Sequence, residues 1–336
     1  MSRMVNILLL AICFNAITHI EASDFGKFIN KISTTASKIK SQLFEYFHRF
    51  RMFFTRHTES THHLMTTRGC GYAVDDEPMI YNKRAKIVSK IKGGDDAIWH
   101  TWPWMVALST KPSQSWMCAG VLVNEDTILT AAHCVFNRTA NEIKAIIGVH
   151  TILGKLNPFN YYSIKSIYRH PDFEDCCKND LAVIKLKKRV LYGPKINSVC
   201  LPFSQEFTVD NDQNLINRTG VIIGWGETSQ NAMTNFIKSS SLQQADVLIF
   251  DNEYCNRAYE KIFDPATEIC AGDYEQRTDT MSGDSGGPLL IRQSDGRWIV
   301  LGITSYGSDI TPNLSPSVYV KLSAYEKWLE PYLKSN

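Results

Sequence analysis

Apolar positions along this chain follow two rhythms, and the change falls near residue 90. Before it, Phe25, Phe28, Ile29, Ile32, Ala36, Ile39, Leu43, Phe47, Phe50 and Phe54 recur at steps of three and four. That spacing predicts an amphipathic helix over 24–57. Its other face carries Lys27, Lys31, Lys38, Lys40, Arg49, Arg51 and Arg56 against Asp24 and Glu45. Residues 58–90 lose the period and read as a linker. The pair His62-His63 lies there with no third ligand at a spacing that would hold a metal. From residue 91 the rhythm shortens to β-type runs between turn residues: 104–108, 120–123, 181–186, 220–223 and 298–303. Many short strands at such intervals predict an all-β barrel or sandwich. At the end Tyr325, Trp328, Leu329, Tyr332 and Leu333 return to helical spacing behind Ser323, which predicts a final helix with a serine cap and Pro331 as an awkward guest.

The first 22 residues belong to neither pattern. Arg3 precedes a mostly apolar stretch from Val5 to Ile17, and Ala22 offers a small residue for cleavage. This reads as a secretory signal peptide over 1–22, too short to span a bilayer. Nine cysteines are present, and Cys13 lies in that signal. The even remainder in a secreted chain argues for disulfides, whose pairing spacing alone does not give.

Composition narrows the picture a little further. The 336 residues are 44% hydrophobic and 21% charged, ordinary for a globular protein with a sizeable core. A formal net charge of +2 gives no electrostatic footprint for nucleic acid, and no nucleic-acid motif is present. The basic helix over 24–57 suits weak contact with an anionic membrane surface or a partner groove. The blander alternative is a solvated covering helix.

The chemistry sits in three motifs. Gly283-Asp284-Ser285-Gly286-Gly287-Pro288 sets a serine between glycines that let the backbone approach a substrate. Thr130-Ala131-Ala132-His133-Cys134 and Asn179-Asp180-Leu181-Ala182 supply a histidine and an aspartate upstream. A serine hydroxyl is a poor nucleophile until a base lies within hydrogen-bond reach. In this order and local context, the motifs resemble those of trypsin/chymotrypsin-family serine endopeptidases. The resemblance covers residues 91–336 and none of 1–69.

The resemblance implies two six-stranded antiparallel β-barrels with a C-terminal helix, preceded here by a helical pro-segment over 23–90. It implies Ser285 as nucleophile, His133 as base, Asp180 as the group that orients it, and the backbone N–H groups of Gly283 and Ser285 as an oxyanion hole. Lys90-Ile91-Lys92-Gly93-Gly94 resembles an activation junction: an activating protease cuts after Lys90, and the freed Ile91 amine pairs with Asp284. Lys92 stands where an apolar residue is usual. Asp279, six residues before Ser285, falls at the floor of the specificity pocket and implies protein or peptide substrates cleaved after Lys or Arg. Ser305 and Gly307 fall on the strand that pairs with substrate, and Ser317 stands where glycine is usual, narrowing the pocket toward Lys.

The family also implies pairs Cys118–Cys134 and Cys255–Cys270, and Cys70–Cys200 as the bond that keeps the cleaved pro-segment attached. Met281 and Thr311 replace the disulfide that usually ties the pocket walls, a loop closure worth roughly 3–4 kcal/mol. Cys176 and Cys177 find no assigned partner. Sequons occur at Asn137, Asn217 and Asn313. The stretch 148–163 has no Asp or Glu to hold calcium, so neither metal nor cofactor is expected. A protein inhibitor is a further expected partner. The competing class is a catalytically weak protease-fold binding protein whose working part is the basic helix.

Overall fold

The computed structural model describes residues 69–73, 94–110, 116–152, 156–174, 178–203, 215–228, 237–238, 240–259, 262–274, 280, 282–307 and 315–334. The signal over 1–22, the helix over 24–57, most of the 58–90 linker, Lys90, Ile91, Cys176, Cys177, Asp279, Met281, Thr311 and Asn313 lie outside the described residues.

Fifteen strands and two α-helices are described: β1 (Asp95–Asp96), β2 (Met105–Thr110), β3 (Trp116–Asn124), β4 (Thr127–Thr130), β5 (Ile143–Ile147), β6 (Tyr161–Arg169), β7 (Ala182–Leu186), β8 (Thr219–Gly224), β9 (Glu227–Thr228), β10 (Ile237–Lys238), β11 (Gln243–Ile249), α1 (Asn252–Tyr259), β12 (Glu268–Gly272), β13 (Pro288–Arg292), β14 (Trp298–Tyr306), β15 (Ser317–Lys321) and α2 (Glu326–Leu333). All pairings are antiparallel within the strands that form two closed barrels. The first runs β2-β3-β4-β7-β6-β5. In the second, β8 pairs with both β11 and β13, which closes β8-β11-β12-β15-β14-β13 into six strands with β1 added on β11.

Closure follows from the strand sequences. β2, β3, β4 and β7 are rich in Val, Ile and Leu and are buried along almost their whole length. Such strands must be covered on both faces, and a barrel does that while leaving no free edge. Leu108, Leu122, Ile128 and Leu129 are fully buried, each contributing about 1.5–3 kcal/mol of transfer free energy.

The terminal helix departs from the sequence expectation at its start. Ser323 is exposed and does not cap it; a 3₁₀ turn over Leu322–Tyr325 precedes α2, with Tyr325 at the cap position and no side-chain cap bond. Leu322 and Tyr325, three apart, are both buried, which favours the tighter turn. At the other end Lys185 Nζ donates to Tyr332 O at 3.1 Å and to Asp126 Oδ1 at 2.5 Å, so a β7 cation holds a carbonyl in the last turn of α2.

Residues 69–73 are tied into the second barrel. Cys70 is bonded to Cys200, 130 residues away. Gly71 N–H donates to Ser198 O at 2.8 Å, Trp298 N–H donates to Gly71 O at 2.9 Å, and Asn197 Nδ2 donates to Tyr72 O at 3.0 Å. A side chain at residue 71 would lie 2.6 Å from Trp298 O and 2.7 Å from Cys200 Sγ, and φ is +80°, so glycine is required there.

Candidate active site

The site forms where β3 meets the loop before β13. Ala119 N–H of β3 donates to Ser285 O at 2.8 Å, and Thr130 Oγ1 at the end of β4 donates to Ala119 O at 2.8 Å. Gly286, with φ +80°, lets the chain turn there: a Cβ would lie 2.2 Å from Thr130 Oγ1. The serine carbonyl is thereby held on β3, and on the next residue Gly286 N–H donates to Thr304 O at 2.9 Å.

His133 opens a 3₁₀ turn, His133–Val135, directly after β4. The Cys118–Cys134 disulfide staples that turn to β3. Its side chain is about a third exposed, at 35%. Asp180 enters from a different direction. Asn179 takes the left-handed conformation, φ 52°, which asparagine tolerates better than most residues. Its side chain is held on both ends, Nδ2 donating to Asp172 O at 2.9 Å and Oδ1 accepting from Tyr325 Oη at 2.9 Å. That turn points a 2% exposed carboxylate at the histidine.

Three donors converge on Asp180. Oδ2 accepts from His133 Nδ1 at 2.7 Å and from Ser305 Oγ at 2.6 Å, and Oδ1 accepts from the His133 backbone N–H at 2.8 Å. Burial alone would push this carboxyl up, but the bonds from His133 and Ser305 outweigh it, and the net position lies below the usual aspartate range. Its contribution to stability is therefore present above the usual range and fades as pH falls through the lowered value. Accepting at Oδ2 requires the proton on His133 Nδ1, and in the neutral ring that leaves Nε2 with its lone pair. Among the described residues no hydrogen bond joins Ser285 to His133 Nε2, a contact that often tightens only when substrate is bound.

Asp284, 1% exposed, lies in a slot between two glycines. Gly226 N–H donates to its Oδ1 at 2.7 Å. A Cβ at Gly224 would sit 1.9 Å from Oδ1, and one at Gly226 would sit 2.2 Å from Oδ2. Between them Trp225 is fully buried and donates from Nε1 to His150 O at 3.0 Å. Gly283, just before Asp284, has φ +100°. None of these long-range fits is legible in the Gly224-Trp225-Gly226 segment itself.

Ser317 is buried on β15 and its Oγ lies 2.5 Å from Thr280 Oγ1. A Cβ on the exposed Gly307 would come within 3.9 Å of Ser317 Oγ, so the two residues face each other. The disulfides Cys118–Cys134, Cys255–Cys270 and Cys70–Cys200 are all formed. Cys118, His133 and Cys134 offer ligand atoms within 4.8 Å of one another, but a disulfide leaves no thiolate to bind a metal. Asn137 and Asn217 are exposed, at φ 53° and 61°.

The Trypsin family model matches residues 91–329. The chain is 32% identical over 257 residues to the clotting factor G beta subunit of Tachypleus tridentatus, covering 73% of this chain and 80% of the relative. It is 33% identical over 246 residues to mast cell protease 3 of Ovis aries, covering 72% and 88%. With two closed antiparallel barrels and a terminal helix, this chain belongs to the trypsin family of serine proteases.

Proposed function

We propose that the protein is a secreted serine endopeptidase made as a zymogen, activated by cleavage after Lys90 and cutting after Lys or Arg. The observation that carries the catalytic part is the bond from His133 Nδ1 to Asp180 Oδ2 at 2.7 Å, which fixes the tautomer a general base needs. Ser285 Oγ attacks the scissile carbonyl as His133 Nε2 takes its proton. The N–H groups of Gly283 and Ser285 receive the oxyanion, and His133 returns the proton to the leaving amine. Water then repeats the sequence on the acyl-enzyme.

Activation rests on Asp284. Its carboxylate occupies a slot fitted to it, where Gly226 N–H donates to Oδ1. The Ile91 amine freed at Lys90 supplies the counter-charge. Three disulfides favour an oxidising compartment, in line with the signal over 1–22. The names of the two relatives, a clotting factor subunit and a mast cell protease, fit limited proteolysis outside the cytosol.

Substrate choice rests on Asp279 as the pocket carboxylate; Thr280, the next residue in the chain, forms a hydroxyl pair with Ser317. A lysine ammonium gains hydroxyl acceptors there, whereas the wider arginine fork loses room. Ser317→Gly is therefore expected to raise kcat/KM for Arg relative to Lys substrates by about tenfold. Paired amide substrates measure the ratio, and an unchanged ratio would refute this role for Ser317.

The proposed function is tested by cutting the chain at Lys90 and treating it with a serine-directed phosphonate. Labelling confined to one peptide containing Ser285, and absent from Ser285→Ala, is the expected outcome. An unlabelled, inactive product would sink the endopeptidase reading.

A further inference from the structure

Glu268 is a charged residue that the proposed reaction does not use, yet it stands at the start of β12 and is 5% exposed. Its Oε2 accepts from Asp264 N–H at 2.8 Å and from Tyr306 Oη at 3.1 Å. Burial drives its carboxyl up to about 7; the two bonds pull the other way, and the charges of Asp264 and Asp180 add to the rise. A carboxylate buried near two others costs the fold stability. Such a cost calls for a reason in the group it touches.

That group is Tyr306, the last residue of β14, which follows Ser305 and precedes Gly307. The ladder between β14 and β15 shifts register between Thr304 and Tyr306, so Ser305 falls out of the pairing and its Oγ reaches Asp180. A bulge gives up regular ladder bonds, so the strand end there depends more on side-chain anchors. Tyr306 has two. Its phenol donates to Glu268, and its ring meets Tyr259 edge-on at 5.4 Å. Tyr259 Oη in turn donates to Pro316 O, next to Ser317.

We propose that Glu268 is a positioning residue: through the Tyr306 phenol it holds the bulged end of β14, and with it Ser305 and Gly307, in the shape that pairs with an extended substrate. This rests on the endopeptidase reading. It assigns to Glu268 no contact with the scissile bond. Its effect therefore falls more heavily on substrates long enough to lie along 305–307 than on those that fill only the primary pocket.

The test compares a four-residue peptide amide with a single-residue ester of the same basic side chain, using the full chain cut at Lys90. Tyr306→Phe and Glu268→Leu are each expected to lower kcat/KM for the peptide amide about five- to tenfold, the loss of one hydrogen bond. Ester hydrolysis should stay within about twofold, and the double variant should lose no more than either single one. Glu268→Gln, which keeps an acceptor for the phenol, should recover most of the peptide activity. Equal losses on both substrates would mean a general structural role and overturn the proposal, as would losses that multiply in the double variant or no loss at all. If Glu268→Leu does not fold, Tyr306→Phe and Glu268→Gln decide alone. Failure of the endopeptidase reading would show as absent ester turnover in the unsubstituted chain; failure of this one shows only in the variants.

Discussion

Asp180→Asn is expected to lower kcat by on the order of 10⁴-fold while leaving the fold intact. The present carboxylate only accepts: Oδ1 from His133 N–H, Oδ2 from His133 Nδ1 and Ser305 Oγ. An asparagine can keep its oxygen on the backbone N–H, which puts the amide nitrogen where Oδ2 was. Ser305 answers by rotating its hydroxyl to accept. His133 cannot answer without moving its proton to Nε2, and an Nε2–H cannot take the Ser285 proton. The site keeps its shape and loses its base. Steady-state kinetics at saturating substrate reads the loss, and thermal unfolding reads the fold. A kcat within tenfold of the parent would remove Asp180 from the mechanism.

The second large effect is expected from a single methyl group. In Gly226→Ala the new Cβ would lie 2.2 Å from Asp284 Oδ2 and 2.4 Å from its Cγ, distances at which the carboxylate must leave its slot. The partner proposed for the Ile91 amine is then displaced. Breaking a buried ion pair costs about 3–5 kcal/mol, which corresponds to roughly a hundred- to a few thousandfold less active enzyme. Cleavage after Lys90 should proceed normally, because nothing in that step involves Gly226. Activity after complete cleavage therefore separates the two events. Full activity in cleaved Gly226→Ala would show that Asp284 is not the switch.

These two cases mark what the sequence displays and what it hides. His133, Asp180 and Ser285 stand in short contiguous motifs, so their chemistry is readable one segment at a time. The barrels are readable too, since short apolar runs between turn residues predict strands without saying which strands pair. The rest depends on register. Ser305 reaches Asp180 across 125 positions, and Glu268 reaches Tyr306 across 38, through a bulge that no local pattern announces. Gly224 and Gly226 look like ordinary turn residues until Asp284 is seen between them. The Ser323 cap failed for a related reason: burial of Leu322 and Tyr325 decided the turn, and a local signal does not report burial.

The Cys70–Cys200 anchor has a consequence for where the enzyme acts. Four bonds, one covalent and three from main chain and Asn197, hold residues 70–72 on the barrel, and none involves the Lys90 junction. Under the proposed activation, a cut at that junction frees the new N-terminus and leaves the leader on a leash. The thirteen residues from 57 to 70 extend at most ~45 Å. Any surface that captures the basic segment over 24–57 therefore keeps the cutting centre in its own neighbourhood, where substrates are met at an effective concentration set by the length of that leash.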